Sequence, residues 1–179
     1  MTQRKAVHPM DPAVKGLSLQ EICNRYVARF GERKPDWNAF ADAAIEGWRR
    51  AQHRFIGNTS HKPDDKVIPQ GGFTLSIMYV PPGQGNAAHT HECEEVFFVL
   101  QGRLMVFFED EAGNRIETVL GPWDCVSAPA GVIHGYHNNT VEPVYTQVML
   151  GKSGKTDFMG YADPELYKRR DEHVRSAKG

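Results

Sequence analysis

Two histidines and a glutamate lie close together between two glycines in the middle of this 179-residue chain. His89, His91 and Glu95 follow the pattern H-x-H-x-x-x-E, with Gly83 before them and Gly102 after them. Residues of equal parity in an extended strand project from the same face. The pattern therefore predicts that these three side chains face one side of a sheet, where they could bind a common ligand.

A second segment, residues 129–138, reads PAGVIHGYHN and supplies another histidine, His134, behind a Pro-Ala-Gly turn. Imidazole nitrogens combined with one carboxylate oxygen suit Fe(II), Mn(II), Ni(II), Co(II) or Zn(II). Four protein ligands leave open positions on a five- or six-coordinate ion, where water, substrate or O₂ can bind. The two segments together indicate a site for one divalent transition metal ion per chain.

Both segments resemble the two motifs of the cupin superfamily. The first motif, G-x5-H-x-H-x3,4-E-x6-G, is matched at every spacing, whereas in the second, G-x5-P-x-G-x2-H-x3-N, Trp123 replaces the leading glycine. The resemblance covers about residues 70–150 and implies a small double-stranded β-helix barrel of the jelly-roll type. It also implies Fe(II) as the favoured metal, with Mn, Ni, Co or Zn as alternatives. The ligands that it implies are His89, His91, Glu95 and His134.

Strand-like runs dominate the chain after residue 72 and predict a mainly β fold. β-branched and aromatic residues alternate over short stretches that are separated by Gly, Pro, Asn and Asp. Several short strands at this spacing are typical of a sandwich or barrel. Glu109 to Asn114 is the predicted tip of a hairpin. The predicted strands are Phe73 to Val80, Val96 to Leu100, Arg103 to Phe108, Arg115 to Leu120 and Val144 to Leu150.

Helical periodicity predicts two N-terminal amphipathic helices and a short C-terminal one. The first runs from Leu19 to Phe30 behind a capping box of Ser18 and Glu21. The second covers residues 36–55, and the third begins at Asp163 as N-cap and lies on the surface. We therefore expect a helical extension over 1–60 packed on the barrel, a barrel over 61–155 with a linker at 58–70, and a C-terminal segment over 156–179.

Composition and charge narrow the class of protein. The hydrophobic content is 40%, and no apolar run is long enough for a membrane helix or signal peptide. The chain has three cysteines, an odd number that suits reduced thiols. We therefore expect a cytoplasmic protein without membrane contact.

The N-terminal third carries an excess of positive charge, since residues 1–60 hold 10 Lys and Arg against 6 Asp and Glu. This excess of positive charge would suit a helix-turn-helix transcription regulator. The wide apolar stripe of the second helix instead favours a helix that packs on the barrel or on a partner subunit over one that binds nucleic acid.

The sequence favours a metal-dependent enzyme that acts on a small oxygen-rich molecule. Among such enzymes, a non-haem Fe(II) dioxygenase is the leading hypothesis. An isomerase, decarboxylase or lyase that uses the ion as a Lewis acid remains open, as does a ligand-sensing module without turnover. Tyr136, His137 and Tyr145 are candidate catalytic residues, and His53 and Arg54 could reach a substrate carboxylate only if the second helix ends at the barrel mouth.

Apolar residues on both faces of Val96 to Leu100 predict a homodimer.

Overall fold

The computed structural model describes residues 6–57, 66–151 and 159–176 of the chain. Ten strands in these ranges form two antiparallel sheets of five strands each. The strands are β1 (Ala51–Ile56), β2 (Phe73–Val80), β3 (His89–Thr90), β4 (Glu95–Gln101), β5 (Leu104–Glu109), β6 (Arg115–Leu120), β7 (Cys125–Ala128), β8 (Ile133–His137), β9 (Val144–Gly151) and β10 (Gly160–Tyr161). The first sheet has the order β1-β2-β9-β4-β7, and the second has the order β10-β3-β8-β5-β6.

This arrangement confirms the predicted mainly β fold of the double-stranded β-helix type. All five predicted strands are present as β2, β4, β5, β6 and β9, with ends that differ by at most one residue. The predicted hairpin tip joins β5 to β6. Its turn is closed by the backbone N–H of Asp110, which donates to the carbonyl of Asn114 at 3.0 Å. The Asp110 side chain accepts in return from the backbone N–H groups of Ala112 and Asn114.

The apolar core lies between the two sheets, where inward-facing side chains from both meet. Phe97 on β4 packs edge-on against Tyr136 on β8, with ring centroids 5.2 Å apart. Each large apolar side chain buried in this way contributes roughly 1.5–3 kcal/mol to the free energy of folding. The buried core residues are Met78, Val80, Phe97, Val99, Leu104, Val106, Tyr136, Val144 and Val148.

The first predicted helix is present as α1 (Leu19–Tyr26), and its capping box is confirmed. The Ser18 hydroxyl accepts from the backbone N–H of Glu21 at 3.2 Å, and the Glu21 carboxylate accepts from the backbone N–H of Ser18 at 2.7 Å. The helix ends one turn earlier than predicted, at Tyr26. None of its residues is fully buried: Leu19 is exposed, and Ile22 and Tyr26 are partly buried.

The predicted second helix over residues 36–55 is wrong. This stretch holds only a single 3-10 turn, Ala41–Ala44, before the chain enters β1. Gly47 interrupts it with a φ of 89°, a left-handed conformation that no helix interior contains. The apolar residues that suggested a helical stripe instead pack in a loop against the C-terminal part of the chain. Phe40, Ala41, Ile45 and Trp48 lie against the buried cluster of Ala87, Met159, Tyr161 and Leu166.

The loss of this helix changes the predicted domain layout. β1 pairs with β2 from Ala51 opposite Tyr79 onward, so the first sheet of the barrel begins inside the predicted helical extension of residues 1–60. Residues 58–65 of the predicted linker lie outside the described part of the chain. Within residues 6–57 there is one α-helix, and the helix pair that a helix-turn-helix regulator needs is therefore not found in that range.

The C-terminal helix begins where the sequence predicts. In α2 (Pro164–Ser176), the Asp163 side chain caps the first turn by accepting from the backbone N–H groups of Glu165 and Leu166, at 2.8 and 3.3 Å. Leu166 is buried and attaches this helix to the apolar cluster. No helix in the described ranges is long and apolar enough to cross a membrane.

Candidate metal centre

Four side chains from both sheets converge at one end of the barrel interior. His89 lies on β3 and faces His134 directly across the β3–β8 pair of the second sheet, whereas Glu95 is the first residue of β4 in the first sheet. His91 follows β3, and its carbonyl accepts from the backbone N–H of Gly131 at 2.9 Å. The three residues of the first motif therefore converge across two sheets and not along one strand face, because the turn at residues 92–94 carries the chain between the sheets.

The donor atoms are close enough to share one ion. One ligand atom from each of His89, His91, Glu95 and His134 lies within 4.8 Å of the others, and all four residues are buried. Glu95 Oε2 lies 3.3 Å from the Nε2 atoms of His89 and His91, and 2.8 Å from that of His134. The predicted residues therefore form one compact group of three imidazoles and one carboxylate.

Backbone carbonyls orient two of the imidazole rings. The Nδ1–H of His89 donates to the carbonyl of Ala87 at 2.8 Å, and the Nδ1–H of His134 donates to that of Val132 at 2.7 Å. These bonds require a proton on Nδ1, so each ring in its neutral form would present the Nε2 lone pair to a metal ion, whereas the hydrogen bond that each Nε2 makes with the Glu95 carboxylate requires a proton on Nε2. A bond of this kind at Nδ1 is the usual way in which a second hydrogen bond fixes the tautomer and ring orientation of a metal-binding histidine.

The electrostatics of the cluster keep Glu95 charged and move the pKa values of His89 and His134 in opposite directions. Burial lowers the pKa of His89 to about 4, although its hydrogen bond with Glu95 opposes that shift. Burial alone would raise the pKa of Glu95, but the nearby imidazoles outweigh it and lower that pKa well below the usual value. For His134, burial lowers the pKa, but the hydrogen bond with Glu95, the charge of that carboxylate and the hydrogen bond with the Val132 carbonyl together outweigh burial and raise the pKa. Ionised carboxylate and neutral imidazole are the forms that bind metal.

His91 provides the test of whether these residues fit a metal ion. Its Nε2 is buried and has no hydrogen-bond partner, although it lies near the Glu95 carboxylate. A buried nitrogen left in this way costs about 1–3 kcal/mol of stability, so an unexplained one in a native protein indicates a missing partner. A divalent cation bound by the four donors would supply that partner, and the residues therefore fit the group that the motif implies.

The cluster opens into a narrow cavity inside the barrel. The cavity has a volume of about 20 Å³, which accommodates one or two groups the size of water. His89, His91 and Glu95 line it together with polar residues from both sheets and the loops beside them and with apolar residues from the core. The polar members outside the cluster are Arg50, Gln52, Thr74, Ser76, Asn86 and Tyr136.

The structure brings one of the three candidate catalytic residues to this cavity. Tyr136 is buried and lines it, and burial raises the pKa of its hydroxyl, so the group is protonated. His137 is the next residue on β8 and faces the opposite side of the sheet, where its Nδ1 is 2.6 Å from Asn139 Oδ1. Tyr145 lies on the outer face of the first sheet, 5.2 Å from the ring of Tyr79. Neither His137 nor Tyr145 is near the cluster.

The other two residues that were candidates for substrate contact also lie away from the cavity. A residue that does line it was not predicted from the sequence. His53 stacks against Phe30 with ring centroids 4.7 Å apart, and Arg54 pairs with Asp36 at 3.0 Å. Arg50, three residues before His53, lines the cavity instead. The predicted helix over residues 36–55 is the reason, because Arg50 in fact directly precedes β1 and Gln52 lies on it, and both line the cavity.

Comparison with known proteins gives the same family at the level of sequence. Residues 76–149 match the cupin domain family. A 69-residue stretch is 39% identical to germin-like protein subfamily 2 member 1 of Arabidopsis thaliana. That stretch is 38% of this chain and 32% of the plant protein, so the chain spans about a third of the length of this relative.

Solved structures share the fold at lower identity. The polyketide cyclase RemF of Streptomyces resistomycificus is 16% identical with a TM-score of 0.57, over 79% of this chain and 89% of that one. The DMSP lyase DddQ of Ruegeria pomeroyi is 20% identical with a TM-score of 0.51, over 76% of this chain and 60% of that one. At these identities the likeness concerns the fold alone. The family match over residues 76–149, the two motifs and the His/Glu cluster together support a cupin domain in this part of the chain.

Proposed function

We propose that this protein is a metal-dependent enzyme acting on a small oxygen-rich organic molecule, and that it is a non-haem Fe(II)-type dioxygenase. The observation that carries the proposal is the convergence of three imidazoles and one carboxylate within 4.8 Å beside a small cavity lined largely by buried side chains. A divalent ion held there supplies Lewis acidity and, as Fe(II), a binding site for dioxygen.

The chain's own residues prepare the site in three ways. The carbonyls of Ala87 and Val132 hold the imidazole protons on Nδ1, so both rings present Nε2 to the cluster. Glu95 places one negative charge there. The protonated hydroxyl of Tyr136 can donate a hydrogen bond to an oxygen of the substrate, and the buried walls exclude bulk water.

Reconstitution tests the proposal. Protein purified under nitrogen is loaded with Fe(II), and O₂ consumption is followed with a panel of small hydroxy acids, diketones and phenols. We expect consumption with at least one of them, lost in His91→Ala because a donor is removed. Tyr145→Phe is the matched control and retains the rate, since Tyr145 lies on the outer face of the barrel. A loaded protein that takes up no O₂ with any of these compounds contradicts the dioxygenase proposal.

A second candidate is an isomerase, decarboxylase or lyase of the same fold. The specific observation that favours it is the size of the cavity, since about 20 Å³ leaves little room for O₂ beside an organic substrate. The same panel separates the two candidates when it is repeated under nitrogen with Mn(II) or Zn(II). Product formed without O₂ supports the second candidate. Ligand binding without any product would instead indicate a sensing module.

A further inference from the structure

Arg50 is a buried cation that the metal cluster does not use. Its side chain is 1% exposed and lines the same cavity as His89 and Glu95. The guanidinium Nη2 pairs with Asp42 Oδ1 at 2.9 Å, and its Nη1 donates to the carbonyl of Trp48 at 3.0 Å. The side chain is therefore fixed in place.

One donor of this guanidinium has no acceptor. The Nε of Arg50 is buried without a hydrogen-bond partner, whereas the two Nη atoms are bonded. Leaving a buried donor of a charged group unsatisfied is costly, and native proteins rarely do so unless a ligand or an ion completes the site. The Arg50 Nε–H is therefore a buried donor, held in a fixed position, that can bond to an acceptor atom of a ligand.

The charges around the cavity favour an anionic acceptor. The charges of Arg50 and Asp42 cancel, and Glu95 cancels one of the two positive charges of a divalent ion bound at the cluster. One net positive charge then remains in a buried, low-dielectric space, and one carboxylate neutralises it. The hydroxyls of Thr74, Ser76 and Tyr136 line the same cavity and can donate to further oxygen atoms.

We propose that Arg50, with the hydroxyls of Ser76 and Tyr136, forms a subsite that binds the carboxylate of a small organic acid beside the metal cluster. This inference rests on the proposed metal-dependent function and names its substrate class. The volume of the cavity restricts the ligand to small acids, of which formate is the simplest probe.

The test observes the Arg50 Nε–H directly, independently of turnover. Protein is loaded with diamagnetic Zn(II), metal uptake is measured, and the arginine Nε–H resonances are assigned through bonds from the backbone. Formate is then titrated in. We expect a saturable shift of the Arg50 Nε–H resonance, and formate affinity at least about tenfold lower in Arg50→Lys, since lysine keeps the charge but lacks the fixed, charge-assisted Nε–H donor.

Two further results keep the outcomes separate. Arg115→Lys is the matched control, because the Nε of Arg115 already donates to Glu109 on the outer side of the barrel, and it leaves formate affinity unchanged. Uptake of Zn(II) without a shift of the Arg50 resonance overturns the subsite and leaves the metal site standing. Failure to take up any metal overturns the proposed function together with this inference. The wild-type titration decides the matter even if Arg50→Lys does not fold.

Discussion

Trp123 is the residue at which the chain departs from the cupin motif, and the departure places a residue with a side chain in a backbone conformation that favours glycine. It occupies the position of the motif's leading glycine and has a φ of 75°, the left-handed region that glycine adopts without strain. The indole ring is 74% exposed and touches Phe98 at a centroid distance of 6.1 Å. The turn before β7 therefore has the conformation of a glycine turn although a tryptophan occupies it.

This strain predicts a difference between two truncations. Trp123→Gly and Trp123→Ala both remove the indole, but only glycine relieves the positive φ. We expect Trp123→Gly to be more stable than Trp123→Ala by about 1 kcal/mol in the free energy of unfolding, measured by urea denaturation. Equal stabilities would mean that the turn relaxes out of the left-handed region when the side chain is shortened.

The residues of the site show which parts of it the sequence could predict. The spacing of His89, His91 and Glu95, with His134 in a second segment, was enough to predict the four donors, because each motif is short and β3 pairs with β8 so that His89 lies opposite His134. The subsite around Arg50 could not be predicted in this way. Its neighbour Gln52, which also lines the cavity, is a polar residue on β1, so the apolar alternation that marks a strand is absent there.

At the scale of elements, the buried pair of Asp42 and Arg50 joins three separate segments. Asp42 lies in the 3-10 turn of the N-terminal segment, and its carboxylate also accepts from the Tyr161 hydroxyl on β10 at 3.0 Å and from the backbone N–H of Ala87 at 3.0 Å. The carbonyl of Ala87 in turn orients His89. One carboxylate therefore connects the N-terminal segment and β10 to the residue that positions a metal ligand.

We predict that Asp42→Asn lowers the free energy of unfolding by about 3 kcal/mol, because it leaves the Arg50 charge buried without a counterion. Urea denaturation measures the change. Glu165→Gln is the control, since the pair of Glu165 with Lys168 is exposed on α2 and contributes little. An effect of Asp42→Asn no larger than that of the control would contradict the role assigned to the buried pair.

The packing of these elements explains why the strands were predicted correctly and why a helix was wrongly predicted over residues 36–55. β2 and β9 pair along their whole length, and their apolar alternation records that geometry. The stretch from Phe40 to Trp48 has apolar residues at helical spacing for another reason, since they fill the cluster around Met159 and Leu166. A periodic pattern reports that residues are buried together, and tertiary packing decides whether a helix or a loop buries them.

At the scale of the whole molecule, apolar surface remains open on α1 and on the adjoining face of the first sheet. Leu19 is 86% exposed, and Phe30, whose ring packs against His53 and Tyr145, is 45% exposed. Large exposed apolar side chains that lie together are often covered by another protein. We propose that a second copy of the chain covers this surface, which agrees with the homodimer expected from the strand pattern.

Light scattering tests the dimer. We expect a mass of twice 20.1 kDa for the wild type and a shift toward 20.1 kDa for Leu19→Asp, because a carboxylate would be buried at the interface. Val141→Asp is the control, since Val141 is 92% exposed in the loop between β8 and β9. A wild-type mass of 20.1 kDa contradicts the proposal.

The metal content of the purified protein tests the central claim most directly. Protein prepared without a chelating tag and without added metal is analysed for its elements, beside His134→Ala and the control His137→Ala. We predict one transition metal ion per chain in the wild type and in His137→Ala, because His137 faces away from the cluster, and loss of most of the metal in His134→Ala. Full metal content in His134→Ala, or equal loss in both variants, would show that the ion does not lie among these four residues.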